Sequence, residues 1–261
     1  MWLRRRVNFS VKLYKTAVGF CFRGGRYFRG TVRECLLLLP LFSTRLTFHA
    51  ASTPLHHNFT VSLVNQVAQY RAYGHPVLKD IVEPSRALVA IWIGINDIND
   101  SAKYAVHFPT FYNELMDILF ASVRVLHSLG YRSYLFMNLP PLDRTPSNQK
   151  TTSPSPNATQ VAWFNKALAQ HAGSFDKQYP DTNVLLFDAN SVLNDMMDQP
   201  ARHGITNTTS FCPGYDQPDI EWNYRAYGCP MPLDTYFWFN SGHLTSHVHK
   251  LLAKALESTL K

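Results

Sequence analysis

Acidic side chains are almost missing from the first fifty residues, where Glu34 stands alone against ten Lys and Arg, a balance of +9. The remaining residues hold fifteen basic and seventeen acidic side chains, a balance of −2, and 9 − 2 gives the formal +7 of the chain. The high pI therefore belongs to the amino-terminal segment. The body lacks the excess of cations that gripping phosphates demands, which argues against nucleic acid as its partner. Also lacking is any run of about 20 apolar residues, the length a helix needs to span a bilayer. No internal repeat is visible, so a stack of identical units is not expected.

What is present fits a folded, secreted body. Hydrophobic residues make up 46% and aromatic residues 13% of the chain, enough to fill a sizeable core. The four cysteines fall into two pairs by position, Cys21 with Cys35 and Cys212 with Cys229. The second pair closes a loop rich in Pro, Gly, Asp and aromatics, and a disulfide is expected there. Sequons at Asn8, Asn58, Asn99, Asn157 and Asn207 exceed the roughly two that chance would place, which favours an extracellular glycoprotein. The apolar run LLLLPLF (36–42) resembles the core of a secretory leader, but it starts late for segments that occupy roughly the first 15–30 residues. The wealth of Arg also fits a mitochondrial presequence. Residues 1–50 are thus read as an irregular basic segment without a clear signal peptide, a truncated gene product being one explanation, and carry no assigned function.

Beyond about residue 57 the chain alternates strand-like and helix-like stretches. ALVAIWIG (87–94), SYLFMN (133–138) and VLLFD (184–188) are short, uncharged until their last residue and rich in β-branched or aromatic side chains, which predicts strands covered on both faces. Between the first two, Phe111, Leu115, Ile118, Leu119, Val123, Leu126 and Leu129 recur at three and four, with Gly130 as the expected C-cap. Val161, Phe164, Leu168 and Phe175 predict a second helix, and Val248, Leu251, Leu252, Ala255 and Leu256 a last one. Strands separated by helices call for right-handed crossovers and a parallel sheet. In such sheets the working residues gather at strand carboxyl ends, where Asn96, Asp97, Asn138 and Asp188 all stand. PPLDRTPSNQKTTSPSPNAT (140–159) reads as a flexible surface loop.

Two stretches carry side chains suited to chemistry. Gly94-Ile95-Asn96-Asp97 ends a buried strand in two groups that need hydrogen-bond partners. Late in the chain, DTYFWFNSGHLTSHVHK (234–250) places His243 in a Gly-containing turn directly before the last helix, where an imidazole projects over a strand-end crevice. His247 and His249 read as helix-face residues. A metal reading takes His243 and His247 at i and i+4, but the Glu of the zinc-protease pattern and a clustered third ligand are lacking.

SLVNQVAQY, AIWIGINDI, FMNLPPLDRTP, WFNKALAQHAGSFDKQYPDTNVLLFDANSVLNDM, the Cys-bounded loop and FWFNSGH follow one another in an order that resembles the GDSL/SGNH hydrolase superfamily, and within it the fungal acetylesterases of carbohydrate esterase family 16. The resemblance runs from about residue 57 to the last residue. It implies a three-layer α/β/α domain of flavodoxin-like type with a parallel sheet over residues 51–261. It also implies hydrolysis of carboxylic esters, acetyl groups on short carbohydrates, through an acyl-serine intermediate. The partner is then a small-molecule or oligosaccharide ester, and no metal or organic cofactor is called for. In that family a Ser near the amino terminus attacks, a late His is its base, an Asp three residues earlier orients the His, and an Asn amide donates to the oxyanion. Asn96 matches that Asn and His243 the base, while Asn240 stands where the Asp is expected.

The pattern breaks in three places. No Gly-Asp-Ser block exists, so the family's first strand is missing or irregular, and Ser10 and Ser43, the serines of the cationic segment, lack a strand–turn–helix setting. No nucleophile is named. The Gly-bearing second block is reduced at best to LTFHAAST (46–53), with Ser52 where Gly is expected. Third, Asp-x-x-His reads Asn240-Ser241-Gly242-His243. An Asn carbonyl accepts the imidazole N–H but does not offset the imidazolium charge, and the same exchange in a serine protease lowers kcat about 10⁴-fold by favouring the wrong tautomer. Asp234 is the other carboxylate near in sequence.

A sheet without its first strand exposes unpaired backbone, so residues 30–50 are expected to supply a substitute, with RLTFHA (45–50) the candidate. Tyr236, Phe237, Trp238 and Trp222 are candidate pocket aromatics, although core is the commoner use of such residues. Two rival readings stand beside the esterase: a non-catalytic secreted carbohydrate-binding relative, and a metal-dependent protein using the three histidines.

Overall fold

The computed structural model describes residues 20–22, 34–38, 61–102 and 104–260. Ser10, Ser43, Ser52, RLTFHA and the sequons at Asn8 and Asn58 lie outside the described residues. In chain order the elements are β1 (Phe20–Phe22), β2 (Glu34–Leu38), α1 (Leu63–Gln69), α2 (His75–Leu78), β3 (Leu88–Ile91), α3 (Ile95–Ser101), α4 (Phe108–Ser128), β4 (Ser133–Met137), α5 (Pro146–Gln149), α6 (Ala158–Gln178), β5 (Asn183–Phe187), α7 (Ala189–Asp198), α8 (Ile220–Asn223) and α9 (Ser246–Leu260). The chain divides into two compact units. One is Met1–Leu139 with Ala162–Phe187 and Lys261, and the other is Pro140–Val161 with Asp188–Leu260.

The first unit holds the sheet, an open α/β arrangement in the order β1-β2-β3-β4-β5. β1 runs antiparallel to β2, with Cys21 opposite Cys35 in the register. From β2 onward the pairs are parallel: Leu36 lies beside Leu88, Leu88 beside Ser133 and Ser133 beside Asn183. The strand next to β3 thus comes from ECLLL, whose Leu36–Leu38 overlap the run that resembles a leader. A short apolar run has no period of its own, so leader and strand look alike in it. β3 and β4 are covered as expected. β5 is not: it is the last strand of the sheet, and only Phe187 along it is buried.

Both long helices of this unit follow their apolar spacing. α4 buries Tyr112, Leu115, Met116, Leu119, Phe120, Val123 and Leu126, one face at intervals of three and four. It ends in a Schellman motif: Gly130 N–H donates to the His127 carbonyl, Tyr131 N–H to the Leu126 carbonyl, and Gly130 takes φ 97°. α6 buries Phe164, Ala167, Leu168, Ala172 and Phe175. Phe120, Tyr134, Phe136 and Phe175 join into an aromatic core, with ring centroids 5.0–6.3 Å apart.

The second unit contains α5, α7, α8 and α9. The Pro/Ser/Thr stretch expected to be a flexible loop is anchored instead. Leu142, Thr145 and Pro146 are buried, α5 interrupts the stretch, and Arg144 Nη1 donates to Asn194 Oδ1 at 2.7 Å and pairs with Asp198 Oδ1 at 2.8 Å. Asn157 and Gln160 exchange side-chain-to-backbone bonds of 3.0 and 2.8 Å in a capping box at the start of α6. Cys212 and Cys229 form the expected disulfide, with Cα atoms 5.2 Å apart, in a small core with Ile220 and Tyr236.

Candidate active site

In the first unit β3 runs out through Trp92 and Ile93 to Gly94. The indole N–H of Trp92 donates to the Asn138 carbonyl at 2.9 Å, tying the tip of β3 to that of β4. Gly94 turns the chain at φ 113°, a left-handed value that suits glycine, and caps α3. Close approach forbids a side chain as well, since a Cβ on Gly94 would lie 2.2 Å from Phe164 Cζ. The tight turn sets Asn96 and Asp97 on the first turn of α3. Asp97 is 4% exposed, as suits a brace inside the turn. Asn96 is half-buried, and its carboxamide makes no hydrogen bond to a described residue. An amide so placed keeps both N–H bonds available for a developing oxyanion.

In the second unit the other two candidates meet. Trp238 and Leu244 pair antiparallel, Phe239 N–H donates to the His243 carbonyl at 2.7 Å, and Thr245 N–H to the Phe237 carbonyl at 3.1 Å. The intervening turn folds over Asn240, whose Oδ1 accepts from Gly242 N–H at 3.1 Å and His243 N–H at 2.9 Å. The same oxygen lies 2.8 Å from His243 Nδ1. An NH₂ group cannot accept from an N–H, so the two backbone donors fix which way the carboxamide points. Nδ1 must then carry the imidazole proton, and Nε2 is the basic nitrogen. The tautomer penalty expected of Asn at this position is therefore removed by the turn; only the missing charge remains. The Ser241 carbonyl accepts from Ser147 N–H at 3.1 Å, and Thr245 caps α9, holding the turn at both ends. Asp234 is exposed and takes no part in holding the ring.

The remaining histidines have other partners. His247 Nε2 donates to the His203 carbonyl at 2.7 Å. His249, half-buried on α9, has its imidazole pKa lowered, first by burial and then by the charge of His243. Among the described residues, no three His, Cys, Asp or Glu side chains gather to hold a metal ion. Asp188 acts as the N-cap of α7, accepting from Ser191 N–H at 3.0 Å and Ser191 Oγ–H at 2.7 Å. Tyr236, Phe237 and Trp238 are core, 2%, 0% and 1% exposed, while Trp222 is 73% exposed. The two main-chain N–H donors on Asn240 Oδ1 have a local signal in the sequence: Asn followed two residues on by Gly, an Asx-turn signature.

The GDSL-like Lipase/Acylhydrolase family model matches residues 36–256. The chain belongs to that family. Among its relatives, an acetylesterase of Thermothelomyces thermophilus is 24% identical over 82% of this chain and 66% of its own length. An acetylesterase of Hypocrea jecorina is 20% identical over 77% of this chain and 64% of its own. The GDSL esterase/lipase APG of Arabidopsis thaliana is 26% identical over 54% of this chain and 43% of its own. The chain thus spans less than two thirds of the length of these curated relatives. The GDSL-family match begins inside β2, so Leu36–Leu38 of the strand beside β3 fall within the family's span although no Gly-Asp-Ser follows them. Among the described residues of this GDSL-family chain, no helix is long and apolar enough to cross a membrane.

Proposed function

We propose that the chain hydrolyses carboxylic esters, specifically acetyl esters of short carbohydrates, through an acyl-serine intermediate. His243 Nε2 takes the serine hydroxyl proton as the oxygen attacks the ester carbonyl. The Asn96 amide donates to the resulting oxyanion, and the protonated His243 then passes its proton to the departing sugar alcohol. Water repeats the sequence on the acyl-enzyme and releases acetate. Asn240 orients the ring. The observation that carries this reading is the Asn240–His243 contact, because it leaves Nε2 as the acceptor a general base requires. Family membership supports the ester chemistry, and the relatives' names point to acetate. The Cys212–Cys229 disulfide and the exposed sequon Asn157 favour an extracellular working place.

The nucleophile is the open role. Purified protein treated with a serine-directed phosphonate should hydrolyse p-nitrophenyl acetate until labelled, and peptide mapping of the adduct should identify the serine. The missing Gly-Asp-Ser block favours one rival, a non-catalytic carbohydrate binder. Absence of both turnover and adduct would remove the hydrolase and favour that rival or a defective gene product.

A further inference from the structure

Three half-buried aromatic rings stand around the histidine-bearing turn of the second unit. Phe211 meets Tyr215 edge-on at 5.7 Å and 79°, and Tyr215 meets Phe239 at 5.2 Å and 76°. Phe239 is half-buried where Tyr236, Phe237 and Trp238 before it are core. Trp238 and Leu244 pair across the hairpin, so Phe239 and His243 stand one step nearer the turn. The Phe239 N–H to His243 carbonyl bond makes these two a cross-strand pair on one side of the hairpin. The rings are also held in advance. Phe211 precedes Cys212 of the disulfide, Gly214 lies so close to Tyr227 that an added Cβ would sit 2.3 Å from its Cβ, and Tyr227 donates to Asp219 at 2.6 Å.

The rim of this platform is polar. Lys150 Nζ lies 5.7 Å from the Phe211 centroid, and the Tyr215 hydroxyl makes no hydrogen bond to a described residue. An alkyl chain laid here would strip water from the ammonium and the phenol without replacing its bonds. A pyranose ring presents C–H faces to the aromatics and hydroxyls to that rim. We propose that Phe211, Tyr215 and Phe239 form the subsite that holds the sugar ring on the alcohol side of the ester. Its consequence for turnover rests on the hydrolase reading; its affinity for sugar does not.

The test uses Phe211→Ala and Tyr215→Ala in the full chain, each checked for an unchanged far-UV CD spectrum. The specificity ratio, kcat/KM on a monoacetylated methyl xyloside over that on ethyl acetate, should fall about tenfold in each, through KM of the sugar ester. Equal losses on both esters, or no change in the ratio, would overturn the subsite. Loss confined to p-nitrophenyl acetate would place an aryl group there and overturn the sugar. Calorimetric titration with xylobiose, which carries no ester, reads the platform even in a chain that turns nothing over. Binding weakened about tenfold by each variant supports the subsite with or without hydrolysis. Millimolar xylobiose giving no heat with the unmodified protein would sink the subsite and leave the hydrolase standing.

Discussion

Oδ1 of Asn240 accepts from Nδ1 of His243 at 2.8 Å while also accepting the main-chain N–H groups of Gly242 and His243. Three donors on one oxygen explain how a neutral carboxamide orients an imidazole as an aspartate would. Where Asn replaces the triad Asp in a serine protease, the NH₂ group turns to the ring and enforces the wrong tautomer. Here the turn has already spoken for the orientation. What Asn240 lacks is charge.

Asn240→Asp follows directly. The Asn240 NH₂ group donates to no described residue, so replacing it with a second oxygen breaks no described bond, and three N–H donors keep the new carboxylate ionised. On the proposed mechanism the negative charge stabilises the imidazolium formed during acyl transfer. We expect kcat on p-nitrophenyl acetate to rise at least about tenfold, part of the roughly 10⁴ that the reverse exchange costs a serine protease. Asn240→Ala should lower it. A fall in kcat for Asn240→Asp, with the fold intact by CD, would remove Asn240 from the orienting role.

Asn96→Ala tests the proposed oxyanion donor. The half-buried amide stands at the tip of β3 on a turn fixed by Gly94, and no described group competes for its N–H bonds. Removing one such donor costs about 10²–10³ in kcat with KM little changed, because the interaction strengthens as the oxyanion forms. Steady-state kinetics on a soluble acetate ester reads this. A loss confined to KM would make Asn96 a substrate-binding group instead.

How far these elements were legible differs from residue to residue. The helix α4 was legible because its apolar side chains keep the period and Gly130 closes it, both local properties. β2 was not, because Leu36 to Leu38 carry no signal that separates a strand from a leader; only pairing with Leu88 to Ala90 decides it. Composition misled over 140–159, where Pro and Ser suggest a mobile loop. Burial of Leu142 and the bonds of Arg144 depend on residues fifty positions away. Among the late aromatics, residue type could not separate core Trp238 from half-buried Phe239; their places along the hairpin do so, Phe239 standing one step nearer the turn. Asn240 was visible, but the donors that aim it belong to the turn's own backbone.

Stability should depend on pH through His249. Burial and the neighbouring His243 charge lower its pKa below the ordinary 6.5. The unfolded chain then binds the proton first as pH falls, so unfolding stability is full above about 6.5 and declines below it, down through the lowered folded value. Urea melts at stepped pH between about 8 and 5 should show this slope, shallower in His249→Gln. An identical slope in the variant would assign the acid sensitivity to another group.

Gly94→Ala should be costly for two separable reasons. At φ 113° an L side chain is strained by about 1–2 kcal/mol. The new Cβ would also lie 2.2 Å from Phe164 Cζ and 3.0 Å from both Cε atoms of a ring that is 1% exposed and packed edge-on against Tyr112 at 5.5 Å. Overpacking of that kind adds about 1–3 kcal/mol. Together they should lower the melting midpoint by about 5–15 °C for a chain of this size. Phe164→Leu in the same chain relieves the clash and leaves the backbone strain, so the double variant should lose less than the two single losses added together. Strict additivity would show that the ring is not what excludes a side chain here. A Gly94→Ala midpoint within about 1 °C of the unmodified protein would mean that the turn on which Asn96 is mounted does not need glycine at all.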